Sequence, residues 1–276
     1  MLMNDLYIIV VFFNPTTAQV AQAEKLSVNN NVIIVDNSNH IVHNLDKLNL
    51  MYIPLLSNKG IAYAQNVGII EAFKKGAKYI LFQDQDSQLE QKQIVALFNE
   101  YKNIYKYDSK IGAIGPVILN SINATEYKSI LKDNTTGVVS SIISSGMLTS
   151  RAALDEIGLM DEKLFIDNVD HEWCWRAKSK GYNIYMTRKS LLCHTIGMKT
   201  RNVLGYQIIK SAPIRSFYKF RNNIWLLKRS YVPLQWKIKN FINMLIMLLI
   251  YSVCYKEYGK NYISNALKGV KAGIIS

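Results

Sequence analysis

An apolar run from Tyr79 to Phe82, which a pair of carboxylates soon follows, is the feature that most constrains the fold of this chain. A run without alternation of polar and apolar residues is typical of a strand buried on both faces of a parallel sheet. Residues two apart on an extended chain point the same way, so Asp84 and Asp86 can face one hard divalent cation. Ligands of open α/β sheets bind beyond the carboxyl ends of the strands, where this pair lies. The pair alone is equally compatible with a solvated turn.

Three more segments predict strands of the same sheet. Tyr7 to Phe13 is a continuous apolar run that ends at Asn14, and the absence of positive charge before it indicates a strand and not a signal peptide. Val32 to Val35 ends at Asp36, and Met51 to Leu55 is a short third run. An acid in the position of Asp36 can bind the base or ribose of a nucleotide, or it can cap a turn or helix.

Small residues cluster at the start of the helix that is predicted to end near Lys75. They leave room for backbone amides and the positive end of the helix dipole to approach a phosphate or a sugar. Tight packing of the helix on the sheet also requires small residues, and the two interpretations are compatible. The small residues are Gly60, Ala62, Ala64 and Gly68.

The segments from Gln91 to Thr195 follow the same alternation of helices and strands. The pattern predicts a helix from Gln91 to Tyr105 and a strand from Ile111 to Leu119, followed by a loop at 120–137. Val138 to Thr149 predicts a strand, in which Gly146 indicates a bulge or a close backbone approach. The last strands are predicted at 183–186 and 191–195, with His194 near their end.

Acidic residues open the helix that is predicted from Asp167 or Asn168 to Lys180. Asp170 lies in its first turn, where the helix dipole favours an ionised carboxylate. A general base that takes a proton from an alcohol needs such a carboxylate on a rigid element. Asp170 and Glu172 diverge on a helix, so they do not form a matched acid and base pair. The alternative is that Asp170 serves only as a capping acid.

Five motifs in this order together resemble the inverting family-two glycosyltransferases with the GT-A fold, and most closely the bacterial rhamnosyltransferases of surface polysaccharide synthesis. The resemblance covers about residues 5 to 225. It rests on Asn14-Pro15, Val35-Asp36-Asn37, the small-residue helix from Asn58 to Gly68, Asp84-Gln85-Asp86-Ser87, and Phe165-Ile166-Asp167-x-x-Asp170-x-Glu172-Trp173-x-x-Arg176.

The resemblance implies roles for individual residues. Asp36 contacts the nucleotide, Asp84 and Asp86 hold a divalent metal (Mg or Mn) on the diphosphate, and His194 joins the metal. Asp170, six residues before the helix arginine, is the base, although Val169 stands where the family commonly has a glutamate, which leaves Glu172 as the alternative. The residues expected on the nucleotide-sugar side are Asn14, Asp36, Asn58, Gly60, Asn66, Asp84 and Gln85. Those expected on the acceptor side are Gly146, Glu172, Trp173 and Arg176.

The expected fold class is therefore α/β, a GT-A fold with a Rossmann-like mixed, mostly parallel sheet flanked by helices. Residues 1–200 form the expected catalytic domain, with a nucleotide-sugar half at about 1–119 and an acceptor half at about 120–200. Residues 201–276 form a basic, aromatic and partly apolar helical extension for membrane association or oligomerisation.

The charge of the chain is concentrated in this extension. Residues 201–276 hold 13 Lys/Arg and the single acid Glu257, whereas residues 1–200 hold 20 Lys/Arg and 19 Asp/Glu. Phe241 to Cys254 is almost wholly apolar, yet it is shorter than the roughly 20 residues that span a bilayer. An interfacial segment on an anionic lipid surface is expected, with a core helix or a dimer interface as alternatives. No recognition motif supports nucleic-acid binding.

These patterns lead to a functional hypothesis. The expected activity is transfer of L-rhamnose from dTDP-rhamnose to a lipid-linked saccharide of the undecaprenyl-diphosphate type, in O-antigen or capsule synthesis. The enzyme is expected to be cytoplasmic and peripheral on the inner face of the bacterial plasma membrane, which fits three cysteines without a disulfide or metal pattern. The alternatives are UDP-galactofuranose, UDP-glucose or UDP-galactose as donor, a non-catalytic nucleotide-binding assembly protein, and a nucleotidyltransferase.

Overall fold

The computed structural model describes residues 4–41, 50–87, 89–120, 126, 131, 135–194, 200–203, 206–209, 212–254 and 259–275. Their strands are β1 (Leu6–Phe12), β2 (Asn31–Asp36), β3 (Leu50–Pro54), β4 (Tyr79–Asp84), β5 (Ile111–Asn120), β6 (Thr136–Val139), β7 (Leu148–Ser150), β8 (Asn183–His194), β9 (Thr200–Val203) and β10 (Tyr206–Ile209). Their helices are α1 (Thr17–Ser27), α2 (Ile61–Lys74), α3 (Gln91–Tyr105), α4 (Arg151–Ile157), α5 (Val169–Ser179), α6 (Pro213–Lys228), α7 (Leu234–Cys254) and α8 (Gly259–Ile275), with a short 3₁₀ helix at Glu162–Leu164.

Within the described residues, eight strands form one mixed sheet in the order β3-β2-β1-β4-β7-β5-β8-β6. Neighbours from β3 to β4 are parallel, as are β5 and β8, whereas β7 and β6 run antiparallel to their neighbours. The chain order reverses beside β1, which has β2 on one side and β4 on the other. Ligands of α/β sheets bind at the carboxyl ends of the strands at such a switch point. The mixed, mostly parallel sheet that the sequence predicts is therefore confirmed.

Helices cover both faces of the sheet, which explains the apolar runs without alternation. Along β1, Ile9 packs with residues of α2, α4 and α5, while Ile8 packs with residues of α1 and α3. Both side chains are almost completely buried. A strand covered on both faces has no solvent side, so polar residues appear only where it ends.

Two strand predictions are corrected. The segment predicted as one strand over 138–149 forms β6 and β7, separated by a turn in which Gly146 has φ of +80°. The segments predicted at 183–186 and 191–195 belong, as far as residue 194, to one strand, β8, whose pairing with β5 shifts register between Pro116 and Val117. Most of the predicted loop at 120–137 lies outside the described residues.

The C-terminal extension begins with the antiparallel pair β9 and β10, which the sequence pattern did not predict, and continues as three helices of the described chain. α8 packs closely on α6 at Gly269, where a Cβ would come within 2.3 Å of the Phe217 carbonyl oxygen. The apolar run from Phe241 lies inside α7. Among the described helices, none combines the length and apolar character of a membrane span.

Candidate active site

The carboxylates of the opening motif lie at the carboxyl end of β4, beside the end of β1. Ser144, in the turn between β6 and β7, links two of the acids. Its backbone N–H donates to Asp170 Oδ2 at 3.2 Å, and its Oγ lies 3.4 Å from Asp84 Oδ1. Burial, followed by the negative charges of Asp86 and Asp170, raises the pKa of the Asp84 carboxyl to about 7. The structure therefore brings Asp84, Asp86 and Asp170 into one electrostatically coupled group.

Asp170 is the second residue of α5 and borders a cavity of about 370 Å³. Its Oδ1 accepts the His171 backbone N–H at 2.8 Å and its Oδ2 accepts that of Ser144. These bonds fix the orientation of the carboxylate while the cavity leaves it accessible. The position meets the geometric requirements of a general base for a hydroxyl bound in the cavity.

The loop before Asp170 has an unusual backbone. Phe165, Asp167 and Asn168 all have φ between 64° and 67°, a region that residues other than glycine rarely adopt. Asn168 is the N-cap residue of α5, and its side chain makes no capping hydrogen bond. The Asp167 carboxylate pairs with Arg215 at 2.7 Å, and the Asn168 amide donates to Asn223 at 3.3 Å.

Asn222 of α6 holds this loop from the C-terminal extension. Its buried Nδ2 lies within hydrogen-bond distance of three loop carbonyl oxygens, those of Leu164 (2.8 Å), Ile166 (2.7 Å) and Asp167 (3.1 Å). Strained backbone persists only where the surroundings enforce it. The extension therefore helps to position the proposed base, and no sequence motif pointed to Asn222.

The geometry favours Asp170 over Glu172 as the general base. Glu172 is fully buried, bonds Arg176 at 2.9 and 3.0 Å, and accepts the Tyr231 hydroxyl at 2.6 Å. Arg229 also pairs with it at 3.0 Å. A carboxylate held by two arginines and a phenol inside the protein stabilises the packing of α5 on the extension and cannot reach a substrate proton.

Three of the residues expected on the acceptor side serve packing instead. Trp173 is fully buried and its Nε1 donates to the Gly158 carbonyl at 2.8 Å. Arg176 donates to the Ile157 and Leu159 carbonyls, both at 2.8 Å, in addition to Glu172. The structure thus places Trp173, Arg176 and Glu172 on the interior side of α5, and this geometry does not favour their expected contact with the acceptor.

Gly146 is also a structural residue in this geometry. A Cβ at this position would come within 2.6 Å of the Pro116 ring, and its φ of +80° disfavours other residues. Its N–H donates to the Phe82 carbonyl at 2.8 Å, so the turn that carries Ser144 is anchored on β4. Gly146 thus holds the turn that carries Ser144, and its expected contact with the acceptor stays a prediction.

The loops on the nucleotide-sugar side are tied to one another. The Asn14 backbone N–H donates to Ser38 Oγ at 2.7 Å, and the Gln85 amide bonds the backbone of Phe13 through both its oxygen (2.8 Å) and its nitrogen (3.3 Å). Gln85 thereby fixes the Asp84-Asp86 turn against the end of β1. Asn14 is exposed at this edge, so its expected contact with a nucleotide sugar stays a prediction.

Asp36 lies at the end of β2 but is buried. Its Oδ2 accepts the Tyr52 hydroxyl at 2.5 Å, and its Oδ1 accepts the Ser38 backbone N–H at 3.0 Å. Burial and the bond to Asp36 raise the pKa of the Tyr52 phenol. In this geometry Asp36 shapes the loop of Ser38, and a direct contact with a nucleotide stays a prediction.

The start of α2 is closed by the protein itself. Asn58 Oδ1 accepts the Gly60 N–H at 3.0 Å, and the Ile61 N–H donates to the Phe165 carbonyl at 2.7 Å. A Cβ on Gly60 would come within 2.6 Å of Phe165, and one on Gly68 within 2.6 Å of Ile9. The small residues of α2 are therefore explained by packing, and these two helix-start amides are not free for a phosphate.

Asn66 is interior as well. Its Nδ2 donates to the Met160 carbonyl (2.9 Å) and to Glu162 (2.8 Å), and its Oδ1 accepts the Met160 N–H (2.9 Å). The residue pins α2 to the segment before the 3₁₀ helix. This geometry does not favour the expected contact between Asn66 and the donor.

The carboxylates of Asp84 and Asp86 are compatible with a divalent metal, although the described residues do not assemble three protein ligands. No group of three His, Cys, Asp or Glu side chains in the described part of the chain is arranged to hold a metal. The side chain of His194 lies outside the described residues, so its expected role is a prediction only. Asp84 and Asp86 provide the oxygen ligands that Mg²⁺ and Mn²⁺ prefer, and a cation would offset the mutual repulsion that raises the pKa of Asp84.

The cavity beside Asp170 lies between the catalytic half and the extension. Gln65 is almost fully buried there, at 3% exposure, and its Oε1 has no hydrogen-bond partner. Lys219, an exposed residue of α6, has no hydrogen-bond or ion-pair partner among the described residues. Gln65 lies within the Asn58 to Gly68 motif but was not among the residues expected at the site, and Lys219 belongs to none of the five motifs. The lining includes Ile61, Gln65, Ser144, Asn168, Asp170, Arg215, Lys219, Asn223 and Asn240.

Known proteins resemble this chain in sequence and in fold. The family model described as glycosyl transferase family 2 matches residues 8–158. The chain is 31% identical over 297 residues to the dTDP-rhamnosyl transferase RfbF of Shigella flexneri, across 97% of the chain and 96% of that protein. The crystal structure of GalNAc-T7 with UDP, GalNAc and Mn²⁺ has a similar fold, with a TM-score of 0.57 at 14% identity. That similarity covers 98% of this chain and 56% of the GalNAc-T7 chain, so the chain spans little more than half of that protein.

Proposed function

The chain belongs to glycosyl transferase family 2 and is a glycosyltransferase, and on this premise we propose that it transfers L-rhamnose from dTDP-rhamnose to a lipid-linked saccharide. The observation that carries the donor assignment is the 31% identity to a dTDP-rhamnosyl transferase along nearly the whole of both chains. Family membership sets aside the non-catalytic assembly protein. UDP-linked galactofuranose, glucose and galactose are the competing donors.

In the proposed reaction Asp170 is the base. Its carboxylate takes the proton of an acceptor hydroxyl, and the hydroxyl oxygen forms a bond to the anomeric carbon of the donor sugar. The bond from that carbon to the diphosphate breaks on the opposite face, and the leaving dTDP keeps the electron pair. A single displacement inverts the anomeric configuration and needs no enzyme nucleophile, which fits the removal of Glu172 from the site by its buried contacts.

The donor diphosphate is proposed to lie at the carboxyl end of β4. Asp84 and Asp86 would hold a divalent cation there, and the cation supplies charge neutralisation for the departing diphosphate. Gln85 keeps this turn in place through its two bonds to Phe13. Ser144 keeps Asp84 and Asp170 in a fixed relation, so the donor and the base share one frame.

The acceptor is proposed to occupy the cavity beside Asp170. The cavity has amide side chains suited to sugar hydroxyls, among them Gln65 with its unpaired oxygen. Arg215 and Lys219 add positive charge on the α6 side, which suits the diphosphate of a lipid-linked saccharide. An undecaprenyl-diphosphate acceptor in O-antigen or capsule synthesis would place the enzyme peripherally on the inner face of the plasma membrane.

Donor binding by thermal shift tests this proposal. Wild type, Asp86→Ala and the control Asp155→Ala, an exposed acid of α4 that pairs with Arg151, are melted with Mn²⁺ or Mg²⁺ and with dTDP, UDP, GDP and their sugars. A ligand that binds only the native state raises the melting temperature. We expect metal-dependent stabilisation by dTDP and dTDP-rhamnose in wild type and Asp155→Ala, and its loss in Asp86→Ala. A preference for UDP sugars would overturn the rhamnose assignment while keeping the mechanism.

A further inference from the structure

One face of α7 exposes a continuous row of large apolar side chains. The row consists of Leu234, Ile238, Phe241, Ile242, Leu245 and Leu249, hereafter the α7 stripe, and each residue is between 49% and 70% exposed. Their spacing of three, four, seven and eight residues places them within about 100° of one another around the helix. Single exposed apolar residues are ordinary, whereas a contiguous row marks an interaction surface.

The opposite face of α7 is already occupied. Met244 and Tyr251 pack with Phe220 of α6 and with Tyr262 of α8. Trp236 packs on Trp175 of α5, with ring centroids 4.9 Å apart. The helix is therefore fixed on the body of the protein, and the α7 stripe faces outward.

Positive charge surrounds the α7 stripe. Lys237 and Lys239 lie on its two sides by helical periodicity, and neither forms an ion pair with a described residue. α6, α7 and α8 contain no Asp or Glu. An exposed apolar row between lysines, on helices without acids, complements the interface of an anionic bilayer, where apolar side chains enter the acyl boundary and lysines meet the headgroups.

We propose that the α7 stripe is the membrane-docking surface of this enzyme and lies in the plane of an anionic lipid interface. A second copy of the chain fits this surface less well, because a two-fold contact through the α7 stripe would bring lysines together with no acid on α7 to pair with them. The inference deepens the proposed membrane location and rests on it, but it makes no assumption about the donor sugar.

Co-sedimentation of the full chain with vesicles tests the proposal. The vesicles contain phosphatidylglycerol and phosphatidylethanolamine, or phosphatidylcholine alone. The variants are Phe241→Ser/Leu245→Ser in the α7 stripe, Lys237→Gln/Lys239→Gln beside it, and the control Val28→Ser/Ile70→Ser, which removes exposed apolar residues elsewhere. Melting temperature and dTDP binding are measured for each variant, so that loss of folding or of the donor site is recognised separately.

Wild type and the control should bind the anionic vesicles and not the neutral ones. The stripe variant should lose more than about tenfold in partition coefficient, since one buried apolar side chain is worth roughly tenfold in an equilibrium constant. Each lysine should contribute about fivefold at low salt. Equal binding of the stripe variant and wild type would overturn the proposal. So would a wild-type dimer in sedimentation velocity that the stripe substitutions convert to monomer, because the α7 stripe would then be a subunit interface.

Discussion

Replacing Asn222 with alanine should reduce turnover although the residue cannot touch the substrate. Its amide is buried on α6 and bonds the carbonyl oxygens of Leu164, Ile166 and Asp167. These carbonyls belong to the loop that sets the start of α5, and Asp170 is the second residue of that helix. Loss of the amide therefore loosens the backbone that positions the base.

The size of the effect follows from these contacts. A buried carbonyl left without a partner costs about 1–3 kcal/mol, and each loop residue with positive φ stores of order 1–3 kcal/mol that relaxation would release. We expect the free energy of unfolding to fall by about 2–4 kcal/mol. If the loop relaxes by about 2 kcal/mol, roughly one molecule in thirty keeps the base in place, so kcat falls about 30-fold.

The assay is release of dTDP from dTDP-rhamnose with water as acceptor, together with urea unfolding and donor binding by thermal shift. Asn265→Ala is the matched control, since among the described residues that amide bonds only the carbonyl of Asn261 within α8, at 2.8 Å. Arg215→Gln, which breaks the more exposed bond to Asp167, serves as a milder second variant if Asn222→Ala does not fold. Wild-type kcat in a destabilised but folded Asn222→Ala, or an equal loss in Asn265→Ala, would refute the reasoning.

Three further outcomes are expected. Asp170→Asn should lower kcat by about 10²–10⁴-fold while the dTDP affinity measured by thermal shift stays unchanged, and a comparable loss of affinity would contradict its role as base. The pKa of Asp84 is raised to about 7 in the folded protein, so between about pH 4 and pH 7 the folded protein holds a proton that the unfolded chain has lost. The free energy of unfolding of the metal-free protein should therefore fall as pH rises from about 4 to 7 and then level off. Asp84→Asn should flatten that part of the urea-midpoint profile, and an unchanged slope would count against the shift. Gly60→Ala should destabilise more than Gly76→Ala, because both have positive φ but only the first would place a Cβ against Phe165; equal urea midpoints would show that backbone strain alone decides.

Sequence pattern was sufficient for the part of the site that the sheet builds. The runs ending at Phe12 and Asp84 are buried on both faces, so they had to be interior parallel strands, and their ends had to meet at one edge. In the structure β1 and β4 pair directly, and the switch point of the sheet lies beside β1. Strand geometry accounts for the placement of Asp84, whereas Asp86 lies in the turn that follows β4.

Pattern was insufficient where burial decides the role of a charged residue. Glu172 and Arg176 are four apart on a helix, a spacing that already indicates an ion pair. What the spacing does not reveal is that both face inward, where Arg229 and Tyr231 from the extension complete the network. The same holds for Asn66, whose partners lie 94 and 96 residues away.

The division of the chain at residue 200 does not separate the site from the extension, because contacts cross it at the site itself. Arg215 and Asn222 of α6 hold the loop before Asp170, and Lys219 and Asn240 line the cavity beside it. A segment that served only to anchor the enzyme would have no reason to contact that loop. Because α6 holds the loop before Asp170 and the α7 stripe is proposed to lie on lipid, one packed helical unit would join the membrane surface to the acceptor cavity. On this proposal the basic C-terminal extension forms part of the acceptor site together with the catalytic half, and its positive charge would serve both the lipid surface and the diphosphate of the proposed acceptor.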